Sequence, residues 1–306
     1  MKHKSVMLNE VIDYLNVSEG KTYIDATVGY AGHSGEILRK LNKKGFLFAF
    51  DQDDEAIKYS QDKLSKIANN FKIIKSNFVN MKDHIDTKVD GILFDLGVSS
   101  PQLDEEERGF SFHKDARLDM RMDKDNPLDA YKVVNEYSYE KLIEIIFRFG
   151  EEKYAKSIAK AIVENRPIET TLQLSEIIKN SVPISYKNKS HPARKTFQAI
   201  RIEVNHELDI LEKSIRDAFD LLNVNGRLCV ITFHSLEDKI VAHVFNELCS
   251  DDERSRKMPI VPEELKAKAK KIAKITPSKN ELEDNLRSRS SKLRVIERIK
   301  WKRKNT

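Results

Sequence analysis

Residues 23–33, YIDATVGYAGH, join a short apolar strand to a glycine-rich turn and then to the start of a helix. Glycine lets the backbone approach a ligand closely, and the first turn of a helix offers unpaired N–H groups to a carboxylate or phosphate. The stretch therefore predicts a ligand-binding turn at the carboxyl end of a strand in an α/β sheet.

Strand and helix patterns alternate after this turn. Apolar runs at 46–50, 71–76 and 89–96 predict strands, and periodic apolar positions at 33–41 and 54–68 predict the helices between them. This alternation is typical of a parallel sheet whose two faces are both covered. We expect an α/β, Rossmann-like fold.

The strand pattern stops after residue 103 and resumes near the end of the chain. A charged loop and a series of helical patterns lie between, at 104–125, 139–149, 151–165, 172–181 and 193–222. The run 227–233, a helix at 236–248 and an alternating run at 292–300 then complete the sheet pattern. We predict a sheet domain formed by 1–103 and 199–306, with an inserted all-helical domain, 104–198, for substrate recognition.

Charge and cysteine content narrow the function. Residues 251–306 carry 18 basic and 9 acidic side chains, against 36 and 40 in the first 250 residues. A basic tail suits a polyanion such as RNA, although a solvated lysine-rich surface would have the same composition. Neither of the two cysteines has a CxxC partner, so we expect no zinc or other metal site and no disulfide. We also expect no membrane segment and a cytoplasmic location.

Three further side chains follow predicted strand ends. Asp51 ends the second strand, 22 residues after Gly29, where a carboxylate can accept hydrogen bonds from both ribose hydroxyls. Phe78 follows the third strand, where its ring could lie against a purine, and Asp95 ends the fourth. A glycine-rich turn followed by an acid occurs in both nicotinamide and S-adenosylmethionine enzymes. The spacing of the glycines in this turn differs from GxGxxG, which disfavours a dinucleotide cofactor.

Longer motifs are more specific. They are DATVGYAGHS at 25–34, DLGVSSPQLD at 95–104, RGFSF at 108–112, LDMRM at 118–122, HPARKTFQAIRI at 191–202, FHSLED at 233–238 and RSRSSKLR at 287–294. In this order, and over nearly the whole chain, the sequence resembles the ribosomal RNA small subunit methyltransferase H family. Members commonly have glycine where this chain has Ala31.

The resemblance implies a class I S-adenosylmethionine methyltransferase sheet with an inserted all-helical domain. The implied activity is methylation of N4 of a cytidine in 16S ribosomal RNA of the small subunit, near the decoding centre. By motif position, the residues that contact S-adenosylmethionine are Ala31, Gly32, His33, Asp51, Phe78, Asp95 and Gln102. The oligomeric state stays open, a homodimer included.

The catalytic hypothesis concerns the turn after the fourth strand. The sulfonium methyl group is already activated, so the enzyme must mainly align the reactants and accept hydrogen bonds from the amine. We assign this role to Asp95 and Ser99, although Ser99 could instead only cap the turn. Cys229 lies within a predicted strand, which disfavours covalent attack on the ring and methylation of carbon 5.

Arginines beside aromatic residues are candidates for binding RNA. Arg108 and Arg117 lie near Phe110 and Phe112, which could instead be core residues. In the pattern after Pro192, the candidates are Arg194, Lys195 and Arg201, with Phe197, Ile200 and Val204 on the packing face.

Other functions stay open at this stage. The same fold could methylate DNA, another nucleic acid or a small molecule, with the helical insertion as a lid. A non-catalytic RNA-binding factor with a relic cofactor fold is a third hypothesis, which intact Asp51 and Asp95 disfavour. A nicotinamide oxidoreductase is the weakest, because no convincing acid for hydride transfer is present.

Overall fold

Seven strands form one sheet in the part of the chain described by this computed structural model, residues 5–98, 105–187, 191–256 and 258–299. Strand order is β3-β2-β1-β4-β5-β7-β6, with β1 to β5 parallel and β7 antiparallel to both its neighbours. The strands are β1 Thr22–Asp25, β2 Phe46–Asp51, β3 Phe71–Lys75, β4 Val89–Asp95, β5 Leu222–Thr232, β6 Ala269–Ile275 and β7 Lys292–Arg298.

Helices cover both faces of this sheet. They are α1 Leu8–Leu15, α2 Gly32–Leu41, α3 Asp54–Ser65, α4 Met81–His84, α11 Leu211–Leu221, α12 Ser235–Leu248 and the short α13 Lys279–Asp284. Consecutive strand residues point to opposite faces: Ile24 packs in the apolar cluster with α4, α11 and α12, and Tyr23 packs in the cluster with α1, α2 and α3. This two-sided burial explains the nearly continuous apolar strands and confirms the predicted Rossmann-like α/β fold.

Strand order reverses between β1 and β4. The chain goes from β1 outward to β2 and β3, and then returns to place β4 on the other side of β1. Loops that leave the carboxyl ends of β1 and β4 diverge at this point, and ligands of open α/β sheets bind in the crevice between them. The turn that starts at Ala26 and the residues that follow Asp95 therefore lie at the expected ligand-binding edge.

The helical unit is inserted between β4 and β5. The chain up to Gly97 and from Leu208 onward forms one compact unit, and Val98–Glu207 forms the other. Helices of the second unit are α5 Ala130–Glu136, α6 Tyr139–Gly150, α7 Ala155–Glu164, α8 Thr171–Asn180, α9 Ile184–Lys187 and α10 Ala193–Asn205. At Gly150 a Cβ atom would lie 2.7 Å from the Lys195 carbonyl, so glycine permits the close approach of α6 and α10.

Three features differ from the sequence-based expectation. The helical pattern 193–222 is two helices, because His206 adopts a left-handed backbone conformation (φ 52°) and ends α10. The boundary expected at 198/199 falls inside α10, whose hydrogen-bond ladder continues to Asn205, and the compact unit ends at Glu207. Strand β6 was not predicted: its lysines mask the apolar alternation, as is common where a strand lies at the exposed edge of a sheet.

No helix among the described residues is both long enough and apolar enough to cross a membrane.

Candidate active site

The turn after β1 is tied directly to Asp51 at the end of β2. The Gly29 N–H donates to Oδ2 of Asp51 (2.9 Å), and the Asp53 N–H donates to Oδ1 (2.9 Å). Each carboxylate oxygen is thus held by one backbone donor and keeps a second lone pair. Gly29 itself has a positive φ of 47°, a conformation that favours glycine. Burial raises the pKa of Asp51 to about 6.

Ala31 and Gly32 begin α2 under different constraints. Ala31 is fully buried in the left-handed region, with φ 51° and ψ 44°. Only glycine adopts this backbone without cost, so Ala31 is held in a strained conformation. The Ala31 methyl group packs in the apolar cluster beneath the turn. At Gly32 a Cβ atom would lie 1.7 Å from the Ser5 hydroxyl oxygen, so the site needs glycine.

His33 connects the start of α2 with the end of β4. Its ring is buried, with Nε2 3.0 Å from the Val6 carbonyl oxygen and Nδ1 3.5 Å from Oδ2 of Asp95. A carbonyl oxygen can only accept, so Nε2 carries the hydrogen and Nδ1 faces the carboxyl group. His33 is therefore a fixed neighbour of Asp95.

Asp95 combines partial exposure with an unsatisfied oxygen. Its backbone N–H donates to the Thr27 hydroxyl (2.8 Å), which fixes the end of β4 against the turn after β1. A quarter of its side-chain surface is exposed, yet Oδ1 is buried and has no hydrogen-bond partner among the described residues. Burial, followed by repulsion from Asp25 and Glu237, raises the pKa of Asp95 to about 8. A buried acceptor without a donor among the described residues suits a ligand that donates a hydrogen bond.

Two acids near Asp95 were missed by the sequence analysis. Asp25 is buried in β1 and accepts hydrogen bonds from the Ser34 hydroxyl (2.6 Å) and the Thr27 N–H (3.1 Å). Glu237 is buried in the first turn of α12, where its Oε2 accepts from the Phe233 N–H (2.7 Å). Both belong to quoted motifs, but nothing in a linear motif shows that their charges converge on Asp95.

Of the two remaining predicted cofactor residues, the structure describes Phe78 but not Gln102. Phe78 follows β3 in a short 3-10 turn, half-buried, and its ring packs edge-on against Phe94 with centroids 5.4 Å apart. Ser99 and Gln102 lie outside the described residues. The described cofactor candidates all lie at or just after the carboxyl ends of parallel strands, so the structure brings them to one edge of the sheet. They are Ala31, Gly32, His33, Asp51, Phe78 and Asp95.

These groups fit S-adenosylmethionine chemically. Asp51 offers two anchored acceptors to a ribose diol, and the Gly29 turn leads into the N-terminus of α2. The unpartnered Oδ1 of Asp95 can accept a hydrogen bond or face a positive charge. The arrangement can therefore bind a nucleoside with a cationic group and place an acceptor next to a reacting amine.

The predicted RNA-binding arginines divide into two groups. Arg108 is buried, and its guanidinium group donates to the carbonyls of Arg121 (3.0 Å) and Met122 (3.3 Å). Arg201 makes two 2.8 Å hydrogen bonds to the carboxylate of Glu207. Groups that are satisfied internally are poorly available to phosphates, which favours a structural role for these two.

Three cations of the helical unit remain more accessible. Arg194 is exposed at the start of α10 and makes no ion pair among the described residues. Lys195 donates to the Glu151 carbonyl (2.7 Å), and the half-exposed Arg117 pairs with Asp129 (2.7 Å). Arg194 is thus the best candidate for a phosphate contact.

Aromatic rings of the same unit form a small stack. Phe110 is buried, as a core residue would be, whereas Phe112 is half-buried and stacks on His191 with centroids 4.5 Å apart. The ring centroid of the exposed His113 lies 4.4 Å from that of Phe112, and the ring of the buried Phe197 packs edge-on against Phe112. Sequence patterns alone do not connect these rings, because His191 is distant in sequence from the RGFSF motif.

The sequence matches one family model and two curated proteins over nearly its whole length. The model of the MraW methylase family matches residues 1–299. Ribosomal RNA small subunit methyltransferase H of Exiguobacterium sibiricum is 50% identical, over 98% of this chain and 99% of the relative. The protein of the same name from Mycoplasma mycoides subsp. mycoides SC is 52% identical, over 97% and 99%. Among solved structures, an rRNA methylase from Streptococcus thermophilus aligns with a TM-score of 0.44 and 12% identity, covering 95% of both chains.

Proposed function

This chain belongs to the MraW methylase family, and from that membership we propose that it transfers a methyl group from S-adenosylmethionine to N4 of a cytidine in 16S ribosomal RNA, near the decoding centre. Relatives named ribosomal RNA small subunit methyltransferase H, at about 50% identity over nearly the whole chain, support the RNA substrate. The observation that carries the chemistry is the buried Oδ1 atom of Asp95, which has no hydrogen-bond partner among the described residues, at the same sheet edge as the turn anchored by Asp51. We propose that the enzyme acts on small ribosomal subunits in the cytoplasm.

Asp51, the Gly29–His33 turn and Phe78 hold the cofactor in this proposal. The Asp51 carboxylate accepts from the ribose hydroxyls, the turn presents its backbone to the remainder of the molecule, and Phe78 lies against the purine. When bound, S-adenosylmethionine supplies a methyl group already activated by its sulfonium charge. The protein therefore has to position the amine and stabilise the charge that develops on nitrogen.

Asp95 receives the target amine. Its buried Oδ1 has no donor in the described part of the chain, and an exocyclic N–H is a donor of the right kind. The fully buried Cys229, whose thiol pKa is raised by burial, is a poor nucleophile for the carbon-5 chemistry. Transfer to nitrogen is thus favoured.

Mass spectrometry of nucleosides from 16S RNA tests the whole proposal. Small ribosomal subunits that lack the modification are incubated with the enzyme and cofactor, and N4-methylcytidine is expected. The appearance of 5-methylcytidine would contradict the assignment of the atom. Methyl transfer to DNA or small acceptors, but not to subunits, would favour the alternative substrates.

Ser99 shares the amine-orienting role in the proposal. We expect Ser99→Ala to lower turnover about tenfold, because one acceptor for the amine is lost, and to leave the affinity for S-adenosylmethionine nearly unchanged. Single-turnover rates and equilibrium binding measure the two separately. Unchanged turnover would show that Ser99 only caps its turn.

We further propose that the helical unit recognises RNA through Arg194 and the rings of Phe112, His113 and His191. An exposed cation beside half-exposed rings is typical of surfaces that bind unstacked nucleotides, and a cytidine must be unstacked to reach an enclosed site. Lys195 and Arg117 provide weaker support, because each already has a protein partner.

Reversing the charge at Arg194 tests this surface. We expect Arg194→Glu to weaken RNA binding about tenfold at low salt and to reduce the dependence of affinity on salt by roughly one phosphate contact. Fluorescence anisotropy of a labelled 16S fragment at several salt concentrations measures both. Lys160→Glu, on the exposed face of α7 in the same unit, is the matched control. An equal salt dependence for the two variants would remove Arg194 from the surface.

A further inference from the structure

We propose that Asp95 takes up the proton released by the target amine, and that its ionisation is coupled to the positive charge of the bound cofactor. The inference rests on the proposed function, because it assumes that S-adenosylmethionine binds at the edge formed by β1 and β4. It adds a role for His33 and for the missed acids Asp25 and Glu237.

The geometry around Asp95 is suited to holding one proton. Because Nε2 of His33 donates to the Val6 carbonyl, a neutral His33 ring turns the lone pair of Nδ1 toward Oδ2 of Asp95, at 3.5 Å. A protonated Asp95 can donate to this nitrogen, whereas an ionised Asp95 meets a lone pair there. His33 is thus a positioning residue that stabilises the protonated carboxyl group and leaves Oδ1 for the substrate.

The acidic groups around Asp95 also favour its protonated state. Asp25, on the neighbouring strand, and Glu237, at the start of α12, repel a negative charge on Asp95 and so disfavour its ionisation. Glu237 is in turn paired with His234 (3.1 Å), the residue that caps α12. In the ligand-free protein these groups and burial hold the pKa of Asp95 near 8, so most molecules carry the proton at pH 7.

Binding of a cation reverses this balance. A positive charge close to a carboxyl group lowers its pKa, so the sulfonium charge should drive the proton off Asp95 and leave a carboxylate facing the amine. In the reaction the nitrogen–carbon bond forms, the carbon–sulfur bond breaks with its electron pair on sulfur, and one N–H proton moves to Asp95. Once the cofactor is neutral, the pKa of Asp95 rises again, which favours uptake of that proton.

Proton counting by calorimetry tests the coupling without any methyl transfer. Binding of S-adenosylmethionine and of S-adenosylhomocysteine to the RNA-free protein is measured at pH 7 in buffers of different ionisation enthalpy. The two ligands share the ribose, so protons displaced from Asp51 cancel, and they differ by one methyl group and one positive charge. We expect the cationic ligand to release about one proton more than the neutral one.

Variants assign that proton. In Asp95→Asn the two ligands should release equal numbers of protons on binding. Glu237→Gln removes one negative charge while a residue able to complete the capping box remains; we expect a smaller difference at pH 7, because the pKa of Asp95 falls. In the native protein the difference in proton release between the two ligands should also vanish above pH 9, where Asp95 is already ionised.

The outcomes separate the two proposals. Failure of both ligands to bind would contradict the proposed function. Binding of both ligands with equal proton release would overturn the coupling and leave the methyltransferase function standing. A difference that persists in Asp95→Asn would also overturn it, because another group would then be the acceptor.

Discussion

Asp95→Asn is expected to lower turnover by at least about 100-fold, the loss typical of a removed general base or oriented acceptor, and to make the ligand-free protein more stable at pH 8–9. The two effects have one cause. The native site keeps a carboxyl group where ionisation is unfavourable, beside Asp25 and Glu237. An asparagine amide has nearly the same shape and no charge, and it can donate to a neighbouring carboxylate.

The sign of the pH dependence follows from the raised pKa. Folded Asp95 holds its proton up to about pH 8, whereas in the unfolded chain it ionises near pH 4, as aspartate ordinarily does. Between these values the folded state binds more protons, so Asp95 costs stability as the pH rises through this window. The variant escapes that cost, which is on the order of 5 kcal/mol for a difference of about four pKa units, and should therefore melt at a higher temperature than the native protein at pH 9.

Thermal unfolding of native protein and variant at pH 5 and pH 9 measures the difference. The variant should gain stability over the native protein only at the higher pH. An equal loss of stability at both pH values would show that Asp95 is a structural residue. Methyl transfer under single-turnover conditions measures the catalytic effect.

Asp51→Ala is expected to weaken binding of S-adenosylmethionine by at least about 100-fold, or about 2.7 kcal/mol. The substitution removes the acceptors that we propose for both ribose hydroxyls, and a hydrogen bond to a charged group contributes about 1.5–3 kcal/mol. It also releases the Gly29 and Asp53 N–H groups, which hold the turn in place. Isothermal calorimetry measures the affinity directly.

The native affinity should carry a matching pH dependence. Because burial raises the pKa of Asp51 to about 6, the carboxylate is lost as the pH falls through 6. We expect affinity to decline below that pH by up to about tenfold per unit, and Asp51→Ala to lack this decline. Asp53→Asn is the matched control, since asparagine also caps a helix N-terminus well. A control that loses as much affinity as Asp51→Ala would contradict the ribose role.

Local patterns predicted the features that depend on short stretches of chain. The YIDATVGYAGH stretch and Asp51 lie at the ends of neighbouring strands, so spacing along the chain was enough to place them together. The two-sided burial of β4 was likewise visible as a continuous apolar run. The family resemblance, carried by the longer motifs, is confirmed by the comparisons.

Features that depend on tertiary contacts were not predictable in this way. At the end of α10, the buried amide of Asn205 donates to the Met120 carbonyl (2.8 Å) and accepts from the Met122 N–H (2.8 Å). Periodicity alone could not reveal these partners, more than eighty residues away. The satisfied state of Arg108 and Arg201, and the convergence of Asp25 and Glu237 on Asp95, were hidden for the same reason.

The insertion of a helical unit between two adjacent parallel strands also affects how the chain folds. Strand β4 ends at Asp95 and its neighbour β5 begins at Leu222. Closing a flexible loop of that length costs about 4 kcal/mol in chain entropy. If the inserted helices fold first, much of that entropy is already spent before the strands meet. Early assembly of the insertion would then speed completion of the sheet, and mutations that loosen its helices would slow refolding of the strands on either side.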